Sequence, residues 1–271
     1  MKALLLFERL SALVPLRLLA LWSWWLSWVW WTVLPVRKKL AVQNLSLAFP
    51  DAPAGPTLRR MMDNLVLGYL EFARGLHTDD LALEVVGLEQ VRAQLATGKG
   101  AVLLAGHTGS WDFCVNQLAR QEGLRITALI REPSDERVAA WLRHAREGYG
   151  LRTLKGDKGV FEKLLKLLDD GELVIFHEDQ RFNDGIPVPF LGRDAYSMQA
   201  AAVASKIARV PVFGCGNERL GPGRHRLTVH RTLEMARKTE VAVATCQAFL
   251  GELVTAAPHN WLWLHDRWRK P

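Results

Sequence analysis

The stretch AVLLAGHTGSWDF, residues 101–113, carries the fold. Five apolar residues run into Gly106, a short polar turn follows, and Ser110 then stands where an N-cap belongs, ahead of a new apolar periodicity. A strand empties here into a helix. His107 lies at the strand tip and Asp112 in the first helical turn. Outward from this point the same alternation repeats. AVLLAG, ITALI, LVIF and VPVFGCG read as strands, and FCVNQLARQ, DERVAAWLRHAREG, VFEKLLKLLDDG and MQAAAVASKIA as helices. LTVHRTL adds an edge strand and VAVATCQAFLGELVTAA a late helix. The pattern predicts an α/β fold with a central sheet flanked by helices. In such sheets ligands gather outside the carboxyl ends of the strands, so the strand tips are the first candidates for chemistry.

Upstream the character changes. Six of the eleven tryptophans (Trp22, Trp24, Trp25, Trp28, Trp30 and Trp31) fall within ten residues, inside the uncharged tract Leu18–Leu34. Its 17 residues fall a little short of the ~20 usual for a membrane span. Arg37, Lys38 and Lys39 follow and would lie on the cytoplasmic side of a spanning helix. The indole load suits a helix lying in the bilayer interface; a buried soluble helix is the plain alternative. The expected organisation is a hydrophobic membrane-anchor helix over 1–36, a helical cap over 37–98 and an α/β core over 99–271. The cap includes a loop at 50–56 and the helical stretch MMDNLVLGYLEFARGL.

Composition narrows the function classes. At 271 residues, 49 % hydrophobic and 23 % charged, the chain excludes wholesale disorder and a disulfide mini-protein. Its formal charge of +7 favours an anionic partner such as a phospholipid surface, a nucleic acid or a phosphorylated substrate. The tryptophans are not interleaved with bases as stacking platforms would be, which argues against nucleic acid. Cys114, Cys215 and Cys246 sit among apolar neighbours, as core residues of a reducing compartment do. GDKG at 156–159 has neither the P-loop nor the Rossmann spacing, so no nucleotide cofactor is expected.

His107 and Asp112 offer a specific chemistry. A carboxylate bonded to one imidazole nitrogen fixes the tautomer and raises the basicity of the other, which can then take a proton from a hydroxyl. The activated alcohol attacks an acyl carbonyl, and helix N-terminal amides or an arginine steady the oxyanion. The same residues also fit a hydrogen-bonded histidine in a polar turn. A divalent-metal site drawing on His107, Asp112, His177, Glu178 and Asp179 is a rival without recognised ligand spacing. A non-catalytic membrane-surface protein is another. Lys155, Lys158, Lys163 and Lys166 recur at helical spacing as a solvated face or a docking patch for an acidic carrier protein.

Several ordered blocks resemble one family. GHTGSWDF resembles the histidine, four residues, acid motif of glycerolipid acyltransferases, and within them the late acyltransferases of lipid A biosynthesis. VRKKLAVQNLSLAFPD, IREPSDERV, EDQRFNDGIPVPFLGRDA and PHNWLWLHDRWR resemble further blocks of that family, in order along nearly the whole chain. The resemblance implies a central mixed sheet, His107 as general base, Asp112 as its orienting carboxylate and Arg131 on a phosphate or the oxyanion. It implies that Ser110, Trp111, Asp179 and Gln180 line the cleft, and that Pro187, Pro189, Phe190 and Gly192 shape its lip. It leaves open a lipid-phosphate role for His265 and Arg267. It further implies an acyl carrier protein or acyl-CoA donor, a membrane glycolipid acceptor, no metal or cofactor, and an inner-membrane location with the catalytic domain cytoplasmic. A lysophospholipid is the alternative acceptor. Aspartate at 112 and serine at 110 depart from the glutamate and asparagine usual in that family.

Overall fold

A computed structural model describes residues 2–270, with side chains from Leu4 onward. Four helices come first: α1 (Lys2–Leu13), α2 (Leu16–Thr32), α3 (Lys38–Ala48) and α4 (Ala54–Arg74). Then come β1 (Ala82–Val86), α5 (Leu88–Leu95), β2 (Ala101–Ala105), α6 (Trp111–Glu122), β3 (Ile126–Ile130), α7 (Glu136–Gly148), β4 (Arg152–Lys155), α8 (Val160–Asp169) and β5 (Leu173–His177). The hairpin β6 (Ile186–Phe190) and β7 (Arg193–Ser197) leads to α9 (Ala200–Ala208), β8 (Val212–Gly221), β9 (Arg224–Leu233) and α10 (Thr239–Ala256).

Seven strands form one mixed sheet in the order β1-β9-β8-β2-β5-β3-β4, in which only the β8–β9 pair is antiparallel. The α/β class with flanking helices is as the alternation predicts. The central strands β2 and β5 are buried on both faces, which is why AVLLA and LVIF are continuous apolar runs. Leu103 and Ile175 join the core beneath α6 and α7, whereas Val102, Leu104, Val174 and Phe176 join the core beneath α8, α9 and α10. Inside the segment expected to be a helical cap, β1 adds a parallel strand to the sheet edge beside β9.

The N-terminal segment differs from the expected anchor. Pro15 breaks it into α1 and α2, and α2 has 17 residues. At 1.5 Å per residue that is about 26 Å, below the ~30 Å hydrocarbon core of a bilayer. No helix among the described residues is long and apolar enough to cross a membrane. Leu19, Ser23 and Ser27, four residues apart, are the buried stripe of α2, and they lie against α4 because small side chains permit close approach. The Ser27 hydroxyl donates to Asp63, and Arg59 of α4 donates to the Trp24 carbonyl at 2.7 Å. Leu18, Leu21, Trp22, Trp24, Trp25 and Trp28 face outward on the rest of the helix.

A buried polar knot fastens α4 to the sheet. Glu71, fully buried, accepts hydrogen bonds from Arg219 and from the Gly223 amide at 2.7 Å, and pairs with His225 at 3.0 Å. Burial alone would raise the Glu71 pKa, but His225 and Arg219 outweigh it and hold the carboxyl below its usual value. Arg219 also donates to the Ser110 hydroxyl at 2.9 Å, so the knot reaches the turn after β2. Removing one member strands the others without water. Glu71→Ala is therefore expected to cost about 3–5 kcal/mol, read as a lowered midpoint of chemical denaturation.

Candidate active site

Strand order brings two distant segments together. Because β2 and β5 are parallel neighbours with Ala105 opposite His177, residues two beyond each strand meet at the carboxyl edge of the sheet: His107 and Asp179. Asp179 grips His107 twice. Its Oδ1 accepts from the ring Nδ1 at 2.7 Å, and its Oδ2 accepts from the backbone N–H of His107 at 2.8 Å. A carboxylate only accepts, so Nδ1 carries the proton and Nε2 is left with a free lone pair. The indole N–H of Trp261 donates to Oδ2 at 2.7 Å.

The turn between strand and helix allows this arrangement. Gly109 has φ +55°, and a Cβ there would meet the Asn217 Oδ1 at 2.5 Å, so only glycine fits. The segment after α10 closes the other side: the Gly109 amide donates to the Asn260 carbonyl at 2.8 Å, and the Leu262 amide to that of His107 at 3.1 Å. Trp111 packs edge-on against the His107 ring with centroids 5.2 Å apart.

Charge follows from these contacts. Burial opposes a protonated His107, but the Asp179 charge and hydrogen bond, aided by Asp112, outweigh it and raise its pKa above the ordinary 6.5. Asp179 is buried too, which by itself would raise its pKa; His107 and the hydrogen bonds from His107 and Trp261 hold it well below the carboxylate range. The dyad is poised to accept a proton at Nε2.

The expected pairing of His107 with Asp112 is corrected. Asp112 Oδ1 instead accepts from Arg146 Nε at 3.0 Å and Nη2 at 2.7 Å, because the first turn of α6 aims it at α7. It remains beside the site as part of the wall of a cavity of about 1120 Å³. That wall includes His107, Trp111, Asp112, Arg131 and Gln180, and its apolar part includes Leu129, Ile130, Phe161, Leu164 and Phe176. Arg131 is exposed, one residue past β3.

Other candidates stand apart from this cavity. Ser110 is bonded to Arg219. Pro187, Pro189, Phe190 and Gly192 belong to the β6–β7 hairpin, where Leu191 (φ 50°) and Gly192 (φ 78°) make the tight turn. Pro187 and Pro189 are exposed, and Phe190 is buried against Trp261, with ring centroids 5.6 Å apart. Arg267 is fully buried and bonded to Tyr196, Ser197 and Gln247, and burial pushes its pKa down to about 10. It is a structural cation, out of reach of a lipid phosphate. His265, by contrast, does line the cavity, where it accepts from the Arg181 amide at 2.9 Å. Among the described residues no group of three or more His, Cys, Asp or Glu side chains is placed to hold a metal ion.

The sequence reading missed Trp261 and Arg146 as parts of the site. Trp261 had a signal, since it lies in the closing block PHNWLWLHDRWR, but nothing in the local pattern of Arg146 distinguishes it from the other arginines of α7.

A histidine whose tautomer is fixed by a carboxylate thus stands at the head of a partly apolar cavity in an α/β sheet, an arrangement able to take a proton from a hydroxyl. The chain belongs to the family described as bacterial lipid A biosynthesis acyltransferase, whose profile matches residues 3–270. It is similar to a phosphatidylinositol mannoside acyltransferase of Mycobacterium tuberculosis, 27 % identical over 190 residues, or 67 % of this chain and 58 % of the relative. A phosphatidylinositol mannoside acyltransferase of Mycolicibacterium smegmatis is 26 % identical over 196 residues, 69 % of this chain and 62 % of the relative. The chain thus spans less than two thirds of the length of either relative.

The pH profile separates the two acids. With His107 as the base, kcat/KM is expected to fall as pH drops through its raised pKa. Asp179→Asn should cut the rate about 10²–10⁴-fold and move that acid limb to lower pH. Asp112→Asn should move the limb less, because its carboxylate acts on His107 only through space.

Proposed function

We propose that the protein moves a fatty acyl chain from a thioester, on acyl carrier protein or coenzyme A, to a hydroxyl of a membrane glycolipid. The observation that carries this reading is the His107–Asp179 dyad opening onto a cavity with an extended apolar wall. Nε2 takes the proton of the acceptor hydroxyl as its oxygen attacks the thioester carbonyl. The adduct then expels thiolate, which recovers the proton. Each donor methylene buried along the wall is worth ~0.8 kcal/mol, so hydrocarbon supplies affinity while the polar end does the chemistry. Arg131 at the cavity edge suits a phosphate of the donor or acceptor. The names of the two relatives favour a glycolipid acceptor over a lysophospholipid.

The outward face of α2 supports attachment to a lipid surface. Four exposed tryptophans and three leucines, beside exposed Arg17, Arg37 and Lys39, combine an interfacial aromatic surface with cations for anionic headgroups. The reading places the enzyme on the inner membrane, α2 in the plane of its cytoplasmic leaflet and the cavity facing lipid.

Two measurements test this. Membranes carrying wild type or His107→Ala are incubated with labelled acyl donors and their lipids analysed by mass spectrometry. The variant should lose at least about 10²-fold of an acylated glycolipid product; an unchanged product overturns the reading. In the second, replacing Trp22, Trp24, Trp25 and Trp28 with serine should weaken co-sedimentation with anionic phospholipid vesicles roughly tenfold or more. Equal binding of both proteins rules out this face as the attachment surface.

A further inference from the structure

The proposed reaction builds negative charge on the former carbonyl oxygen, and the two arginines of the cavity wall nearest the site are either engaged or set back from it. Arg146 commits Nε and Nη2 to Asp112. Arg131 follows β3, which β5 separates from β2, so its origin lies two strand spacings, roughly 10 Å, from the strand of His107. The tip of β5 itself is nearer, and it ends in His177.

His177 lies in the cavity wall with its ring centroid 5.2 Å from that of His107. Neither of its ring nitrogens has a hydrogen-bond partner among the described residues, and Nε2 is buried in that condition. An imidazole left this way at the head of a cavity is costly unless something else completes it. We propose that His177 is a second catalytic histidine, a neutral hydrogen-bond donor to the thioester carbonyl oxygen as it becomes an oxyanion.

The geometry suits the division of labour. In the tetrahedral adduct the attacking oxygen and the oxyanion share one carbon, so two rings this far apart can each serve one of them. His107 takes the hydroxyl proton, the carbonyl π pair moves onto oxygen, and the His177 N–H shares its hydrogen without giving it up. Collapse restores the carbonyl, breaks the carbon–sulfur bond and returns the His107 proton to the thiolate. Burial, reinforced by the neighbouring His107, pushes the His177 pKa down to about 4, so near pH 7 it is uncharged. It therefore does not repel the imidazolium that His107 becomes, and a neutral imidazole is an adequate electrophile for a carbonyl.

This inference rests on the thioester reading above, and the test separates the two. Wild type, His107→Ala, His177→Ala, His177→Gln and His177→Phe are compared by thiol release from two donors, acyl-coenzyme A and acyl carrier protein, each loaded with dodecanoyl or hexadecanoyl chains, with a membrane lipid extract as acceptor. His177→Ala should lower kcat about 100-fold with KM within about twofold. His177→Gln, which keeps an N–H donor, should recover about a tenth of the wild-type rate, and His177→Phe none. An unchanged kcat in His177→Ala, or equal rates in the Gln and Phe variants, overturns the role of His177. In that case, loss of release in His107→Ala leaves the thioester reading standing. If wild type releases thiol from neither donor, that reading falls and takes this one with it.

Discussion

One carboxylate organises the reactive end of this protein. Asp179 holds His107 by both its ring and its backbone amide, and that double hold makes orientation and tautomer consequences of the same contact. It is possible because β2 and β5 are adjacent and in register, so their tips arrive together at one edge of the sheet. The rest of the architecture serves this meeting. The apolar strands keep the register, Gly109 turns the chain sharply after it, and Trp261 gives the acid a third hydrogen bond.

Much of the framework was legible in the sequence because it is written in local periodicity. Continuous apolar runs marked the central strands, and spaced apolar positions marked the helices packed on them. His107 was legible as a strand-tip residue. Its partner was not, because strand order is a long-range property: Asp112 is five residues away and Asp179 seventy-two, yet the parallel pairing of β2 with β5 selects the distant one. The elements that escaped notice have ambiguous composition. β4 reads RTLK, β6 contains two prolines, and β1 reads ALEVV beside stretches that look helical.

The N-terminal tract teaches a related lesson. Summed hydropathy treats its serines as interruptions of an apolar run, whereas their spacing of four with Leu19 marks the side that rests on α4. What looks like a span by composition is an amphipathic arrangement of an unusual kind, with small residues inward and indoles outward. The buried knot of Glu71, Arg219 and His225 joins the same α4 to the β8–β9 hairpin and, through Ser110, to the turn that presents His107. Surface helices and reactive edge are thus one mechanical unit.

The bond from Trp261 has a consequence for the order of events during biosynthesis. His107 emerges from the ribosome early, its acid seventy-two residues later, and the indole that completes the acid eighty-two residues after that. A nascent polypeptide halted before that tryptophan carries an imidazole without its settled environment. The site therefore takes its final form only once translation has passed the closing segment.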